Sequence, residues 1–107
     1  MINLTPHAIV VRTPAGDVTF APSGTIARVT MAEEIIGTCP LTGAPIIRRV
    51  PGEVIGLPED GTPCIVSAMV LATLPSGTPG VYAPDTGATA IRAENGHVIA
   101  VTRLVAA

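Results

Sequence analysis

The stretch Cys64-Ile65-Val66-Ser67-Ala68-Met69-Val70-Leu71-Ala72-Thr73-Leu74, closed by Pro75, decides how the rest of the chain is read. It opens on β-branched residues and then turns to Ala, Met and Leu, which are good helix formers. This order predicts a strand start at Cys64 to Val66 passing into a helix from about Ser67 to Leu74, which Pro75 ends. Apolar residues lie on every side of that helix, so it is expected to be buried rather than amphipathic.

On both sides of this stretch the rhythm is that of short strands. Eleven Gly and eleven Pro punctuate the chain. Turn signals fall at Pro14 to Asp17, Pro22 to Gly24, Pro51-Gly52, Glu59 to Gly61, Pro75 to Gly80, Pro84 to Gly87 and Asn95-Gly96. A first hairpin is expected from Ala8 to Arg12 and Val18 to Ala21. Thr25 to Met31 alternates cleanly, as a half-buried strand does. Ala32 to Gly37 reads as one helical turn, with Glu33 and Glu34 at its favoured N-terminal end. Pro45 to Val50 and Glu53 to Leu57 read as two strands around Pro51-Gly52, with Arg48 and Arg49 presented at the tip. Thr89 to Ala93 and His97 to Leu104 flank Glu94-Asn95-Gly96. Asn-Gly predicts a two-residue type I′ turn that sets Glu94 across from His97. The fold class expected is α+β, mostly β. It is a small twisted or barrel-like antiparallel sheet packed on one short helix, with residues 1–107 forming a single domain.

Composition narrows the function classes. Hydrophobic residues make up 48% of the chain and charged residues 13%, which opposes disorder. Phe20 and Tyr82 are the only aromatic residues. There is no Lys, and the six cations are Arg12, Arg28, Arg48, Arg49, Arg92 and Arg103. That bias fits a GC-rich coding sequence. The functional alternative is guanidinium forks gripping a carboxylate or phosphate. With a net charge of -2, duplex nucleic acid is not an expected partner. Cys39 and Cys64 are isolated, without a CxxC or Cys/His cluster, so no metal site and no cofactor is expected. Reduced thiols in a cytoplasm-like compartment are the expectation. The opening Met1 to Val11 does not read as a signal peptide, and no apolar stretch is long enough to span a bilayer. So apolar a composition in a small domain predicts a homo-oligomer.

Three motifs are weighed for chemistry. Asp85-Thr86-Gly87-Ala88 resembles the Asp-Thr-Gly-Ala of retropepsin-type aspartic proteases, whose dimers share a proton between two carboxylates. Here Pro84 precedes the Asp where those enzymes have a hydrophobic residue, and the motif lies near the end of the chain. A Pro-Asp-Thr-Gly turn is the preferred reading of the string. Asn3, Thr5 and His7 stand at a bend fixed by Pro6, where they either satisfy exposed backbone or meet a ligand. Ser67 has no Gly-x-Ser-x-Gly elbow, so no nucleophile is assigned.

Taken together the blocks carry a wider likeness. Ile2-Asn3-Leu4-Thr5-Pro6-His7-Ala8-Ile9, Ile65 to Val70, Val81 to Gly87 with Thr89 to Arg92, and Gly96 with Val98 to Leu104 occur in that order. The set resembles a family of small proteins associated with bacteriophages and prophages. The resemblance implies a setting, the host bacterial cytoplasm, and carries over no mechanism and no catalytic residue. Small phage accessory proteins often block host defence by gripping a host protein or sequestering a nucleotide signal. The leading expectation is therefore a non-enzymatic accessory protein binding a small anionic ligand through Asn3, Thr5, His7, Asp85, Thr86 and Arg92. In that scheme Arg92 meets the anion and Asn3 or Thr5 reads a base or sugar edge. The alternatives are a structural or protein–protein interaction module (a virion component or an inhibitor of a host protein) and, remotely, a hydrolase using Asp85.

Overall fold

The computed structural model describes residues 1–107. Its centre is the strand β6 (Cys64–Ile65), which leads directly into the helix α1 (Ala68–Thr73). β6 lies between β1 (Ile2–Asn3) and β7 (Val81–Pro84) and is parallel to both. A strand flanked on both edges and covered on both faces carries no polar alternation. Accordingly Cys64, Ile65 and Val66 are all buried. Ser67 caps α1 by accepting from the Val70 amide at 3.3 Å. Val70 and Leu71 turn inward onto the sheet and join the core with Leu4, Ala27, Val81 and Ala83.

The mostly-β class with one short helix is as expected, but the sheet is mixed and open. Three parallel strands are edged by antiparallel β10 (Leu104–Ala106), in the order β1-β6-β7-β10. The parallel pairing of β6 with β7 follows from α1, which carries the chain back to the start of the sheet as a crossover. No barrel closes. Three separate two-stranded ladders complete the chain. They are β2 (Ile9–Thr13) with β3 (Gly16–Phe20), β4 (Arg28–Thr38) with β5 (Pro45–Ile55), and β8 (Ile91–Arg92) with β9 (Val98–Ala100).

Three further expectations are corrected. Ala32 to Gly37 forms no helical turn; it continues β4. Likewise β5 runs unbroken through Pro51-Gly52, so Arg48 and Arg49 lie mid-strand, facing Glu34 and Glu33. Pro51 interrupts nothing because β5 is an edge strand and needs no donor there. The register shift beside it is bridged by the Thr30 hydroxyl, which accepts from the Glu53 amide at 2.9 Å and lies 3.1 Å from the Glu53 carbonyl. Gly52 is required at this point, since a Cβ would lie 2.6 Å from Thr30 Oγ1. The Asn95-Gly96 turn also differs. Only Gly96 takes positive φ, at 85°. The Ala93 amide bonds the His97 carbonyl at 2.8 Å, and the Gly96 amide bonds the Ala93 carbonyl at 2.9 Å. This is a three-residue loop with a left-handed glycine, so Ala93, not Glu94, stands against His97.

The overall form is extended. The molecule measures 59 × 40 × 25 Å with a radius of gyration of 17.4 Å, against about 13 Å for a compact chain of this length. The cause is the β4–β5 ladder, an arm of roughly 36 Å at the usual rise per residue.

The body is tied at Asn3, which is 1% exposed. Its amide nitrogen donates to the carbonyls of His7 (2.7 Å) and Phe20 (2.8 Å). Its Oδ1 accepts from the Thr5 amide (2.9 Å) and hydroxyl (2.6 Å). All four bonds open to an asparagine are made. Replacing Asn3 by Ala strands these partners, and is expected to lower stability by about 2–3 kcal/mol in urea unfolding. An unchanged midpoint would show that Asn3 is not a structural tie.

Candidate functional site

Because β1, β6 and β7 run parallel, their C-terminal exits share one edge of the sheet. The bend Leu4 to His7 leaves β1 there, Ser67 leaves β6, and the corner Asp85 to Gly87 leaves β7. Polar loops gather at this edge in open parallel sheets, and ligands bind there. Two cavities open beside the corner. The larger, about 480 Å³, lies between α1, the corner and β10, with Leu71, Leu74, Pro84 and Val105 on its wall. The smaller, about 260 Å³, is walled by His7, Ile9, Pro84, Thr86, Ile99 and Val101. The amino-terminal bend and the Pro-Asp-Thr-Gly corner therefore meet across one cavity, through His7 and Thr86.

The other predicted site residues have different surroundings. Asn3 and Thr5 are buried and bonded to each other, so neither offers a free edge to a ligand. Asp85 lines the larger cavity but is engaged on both oxygens. Its Oδ1 accepts from the Gly87 amide at 3.0 Å, and its Oδ2 accepts from Arg103 Nε, with the Thr89 hydroxyl at 3.5 Å. The Arg103 bond, and after it the Gly87 amide, hold the Asp85 carboxyl below its usual range. A carboxylate so stabilised is a poor member of a proton-sharing dyad, which needs one raised carboxyl. Arg92 braces the corner rather than facing a cavity, with its guanidinium donating to the carbonyls of Thr86 (2.8 Å) and Gly96 (2.9 Å).

No arginine side chain lines either cavity. Arg12 pairs with Asp17 at 2.9 Å, and Arg48 and Arg49 pair with Glu34 and Glu33 at 3.6 and 3.4 Å. Nowhere do three or more His, Cys, Asp or Glu side chains gather as a metal site would require. No helix is long and apolar enough to cross a membrane. Cys39 and Cys64 are both free thiols. Burial pushes the Cys64 thiol up, whereas hydrogen bonds, first from the Thr42 side chain and then from the Leu41 and Thr42 backbone, lower that of Cys39.

Two features escaped the sequence reading. Arg103 is the partner of Asp85, and only the β7–β10 register brings them together. The second is the Glu33-Glu34 and Arg48-Arg49 pairing along the arm, whose signal was present in the two charge doublets. Comparison with family models, with curated proteins and with solved structures finds no match for the chain.

Since the folded Asp85 value is lowered, its contribution to stability is complete above the ordinary carboxyl value near about 4 and is lost as pH falls through the lower folded value. Proton-detected NMR of the Gly87 amide is expected to show its titration below that ordinary value, and Arg103→Gln is expected to move it upward. A midpoint at or above the ordinary value in the unaltered protein would contradict the pairing.

Proposed function

We propose that this chain is a non-enzymatic interaction protein whose working surface is the β4–β5 arm. One observation carries the reading. From Thr30 to Glu53 every residue except Cys39 is exposed, although the arm bears Met31, Ile35, Ile36, Leu41, Ile46 and Ile47. Ile35 is 74% exposed and Leu41 93%. An antiparallel ribbon bathed in water keeps one polar face, and a lone two-stranded ribbon is marginal even then. Both edges of this one also carry unpaired backbone groups, which are templates for another chain. Exposed apolar surface on this scale marks a contact site. The likeness of the motif blocks to phage and prophage proteins supplies the setting, a small accessory or virion protein that acts by gripping another polypeptide.

Hydrogen exchange across residues 31–50, followed by mass spectrometry, tests this in the purified protein and in protein recovered from a host extract. Slow exchange of the arm is expected in at least one of the two. An arm that exchanges freely in both would overturn the reading, because a covered ladder is protected and a bare one opens readily.

Binding of a small anionic ligand, such as a nucleotide signal, is the second reading. It draws on the cavity shared by His7 and Thr86. Its weaknesses are the size, about 260 Å³ where ligand pockets span roughly 300–1,000 Å³, and walls without an arginine. A ligand held at a hundred times its dissociation constant adds about 2.7 kcal/mol of stability. A panel of cyclic and linear nucleotides is expected to leave the melting temperature unchanged. A shift with one of them that His7→Ala abolishes would favour the ligand reading instead.

A further inference from the structure

We propose that the arm's partner is a second copy of this chain, stacked face to face on it about a two-fold axis running along the arm. The inference rests on the reading of the arm as an interaction surface and names its occupant.

The first support is area. A compact protein of 10.8 kDa exposes about 5,500 Å², whereas this chain exposes 7072 Å². The excess of roughly 1,500 Å² per chain is spread over both faces of the arm, so stacking one face covers about half of it, about 1,500 Å² for a pair, the standard size of a specific interface. The second support is how the faces are composed. Alternation along each strand and the cross-strand register place Met31 with Pro51, Glu33 with Arg49, and Ile35 with Ile47 on one face. Ala32 with Val50 and Glu34 with Arg48 fall on the other. Neither is a solvent face: on each, apolar pairs adjoin a single ion pair. The first of these faces bears Ile35, which is 74% exposed.

The third support is charge. β4 contributes only the acids Glu33 and Glu34 to the middle of the arm, and β5 only the bases Arg48 and Arg49. A two-fold axis along the arm lays β4 of one copy over β5 of the other at the same height. Glu33 then faces Arg49 of the second copy, and Arg49 faces Glu33 of the second copy. The four charges alternate in a closed ring, and the isoleucines stack beside it. A homodimer of this kind is isologous and closes on itself, so that face is not left open to a third copy. Electrostatic matching of this sort selects the partner and its orientation more than it adds affinity.

Sedimentation equilibrium of the full chain and of charge variants tests the proposal. The unaltered protein is expected at twice 10.8 kDa at micromolar concentration. Glu33→Arg alone sets four arginines in the ring, and Arg49→Glu alone sets four glutamates. Each is expected to weaken self-association at least tenfold. Mixed together, the two variants set the two arginines of one copy against the two glutamates of the other, so every pair between copies is opposite in charge, and a heterodimer is expected. That recovery also shows that neither substitution acts by unfolding the arm. A monomeric unaltered protein would overturn the second-copy assignment. If its arm were nonetheless protected in extract, the interaction reading would stand with a foreign partner. An arm unprotected everywhere would remove both. Variants that dimerise undiminished, or a mixture that stays monomeric, would overturn the stacked two-fold geometry.

Discussion

The β4–β5 ladder is held by its own hydrogen bonds and by little else. Only its base approaches the body, where Val29 and Val54 rest on the core. Beyond that point the strands carry aliphatic side chains into water on both faces. Thirteen residues of the 107 are buried, so the body has no spare apolar surface with which to cover so long a ribbon. Conformational entropy opposes ordering two eleven-residue strands, and buried apolar area is the main term that offsets it. The cover proposed for the arm, a second polypeptide, would offset that imbalance. The ion pairs Glu33–Arg49 and Glu34–Arg48 do not remove it. Exposed pairs contribute little to stability, and their value here lies in setting register.

The body solves a different problem. Its three parallel strands are short, two to four residues each, and depend on loops for closure. Asn3 supplies the closure at the exit of β1 by joining the bend, β3 and the strand it sits on. Asp85, Arg103 and Arg92 supply it at the exit of β7, on the same edge, by fixing the corner. Residues that look like ligand contacts in the sequence thus hold loops in place. Polar side chains at strand exits satisfy backbone first; His7 and Thr86 face the smaller cavity, while Asp85 lines the larger one with both oxygens engaged.

Much of this was legible in the chain itself. The strand-to-helix change between Val66 and Ser67 was readable because β-branched residues give way to helix formers and Pro75 stops them. The first hairpin was readable from Pro14 to Asp17. The parallel sheet was not, because strands of two residues carry no period, and pairing across such distances in sequence is a tertiary matter. The arm was misread for a definite reason. Glu33-Glu34 before Ile35-Ile36 mimics a helix start, and Pro51-Gly52 mimics a turn. The decisive signal was the charge doublets, whose paired residue numbers have a constant sum, as antiparallel register demands. The corner was located correctly at Pro84 to Gly87, but Arg103 could be assigned to it only once β10 was placed against β7.

The direct test of the central claim is a distance between arm tips. Cys39 sits just beyond the end of β4 with a lowered thiol value, while Cys64 is 1% exposed with a raised one, so a spin label attaches selectively at the tip. Pulsed dipolar spectroscopy on the labelled protein reads the separation between copies. Two arms stacked about an axis along their length bring both tips to the same end, which predicts one short and narrowly distributed distance. The absence of any intermolecular distance, or a long one placing the tips at opposite ends, would contradict the account.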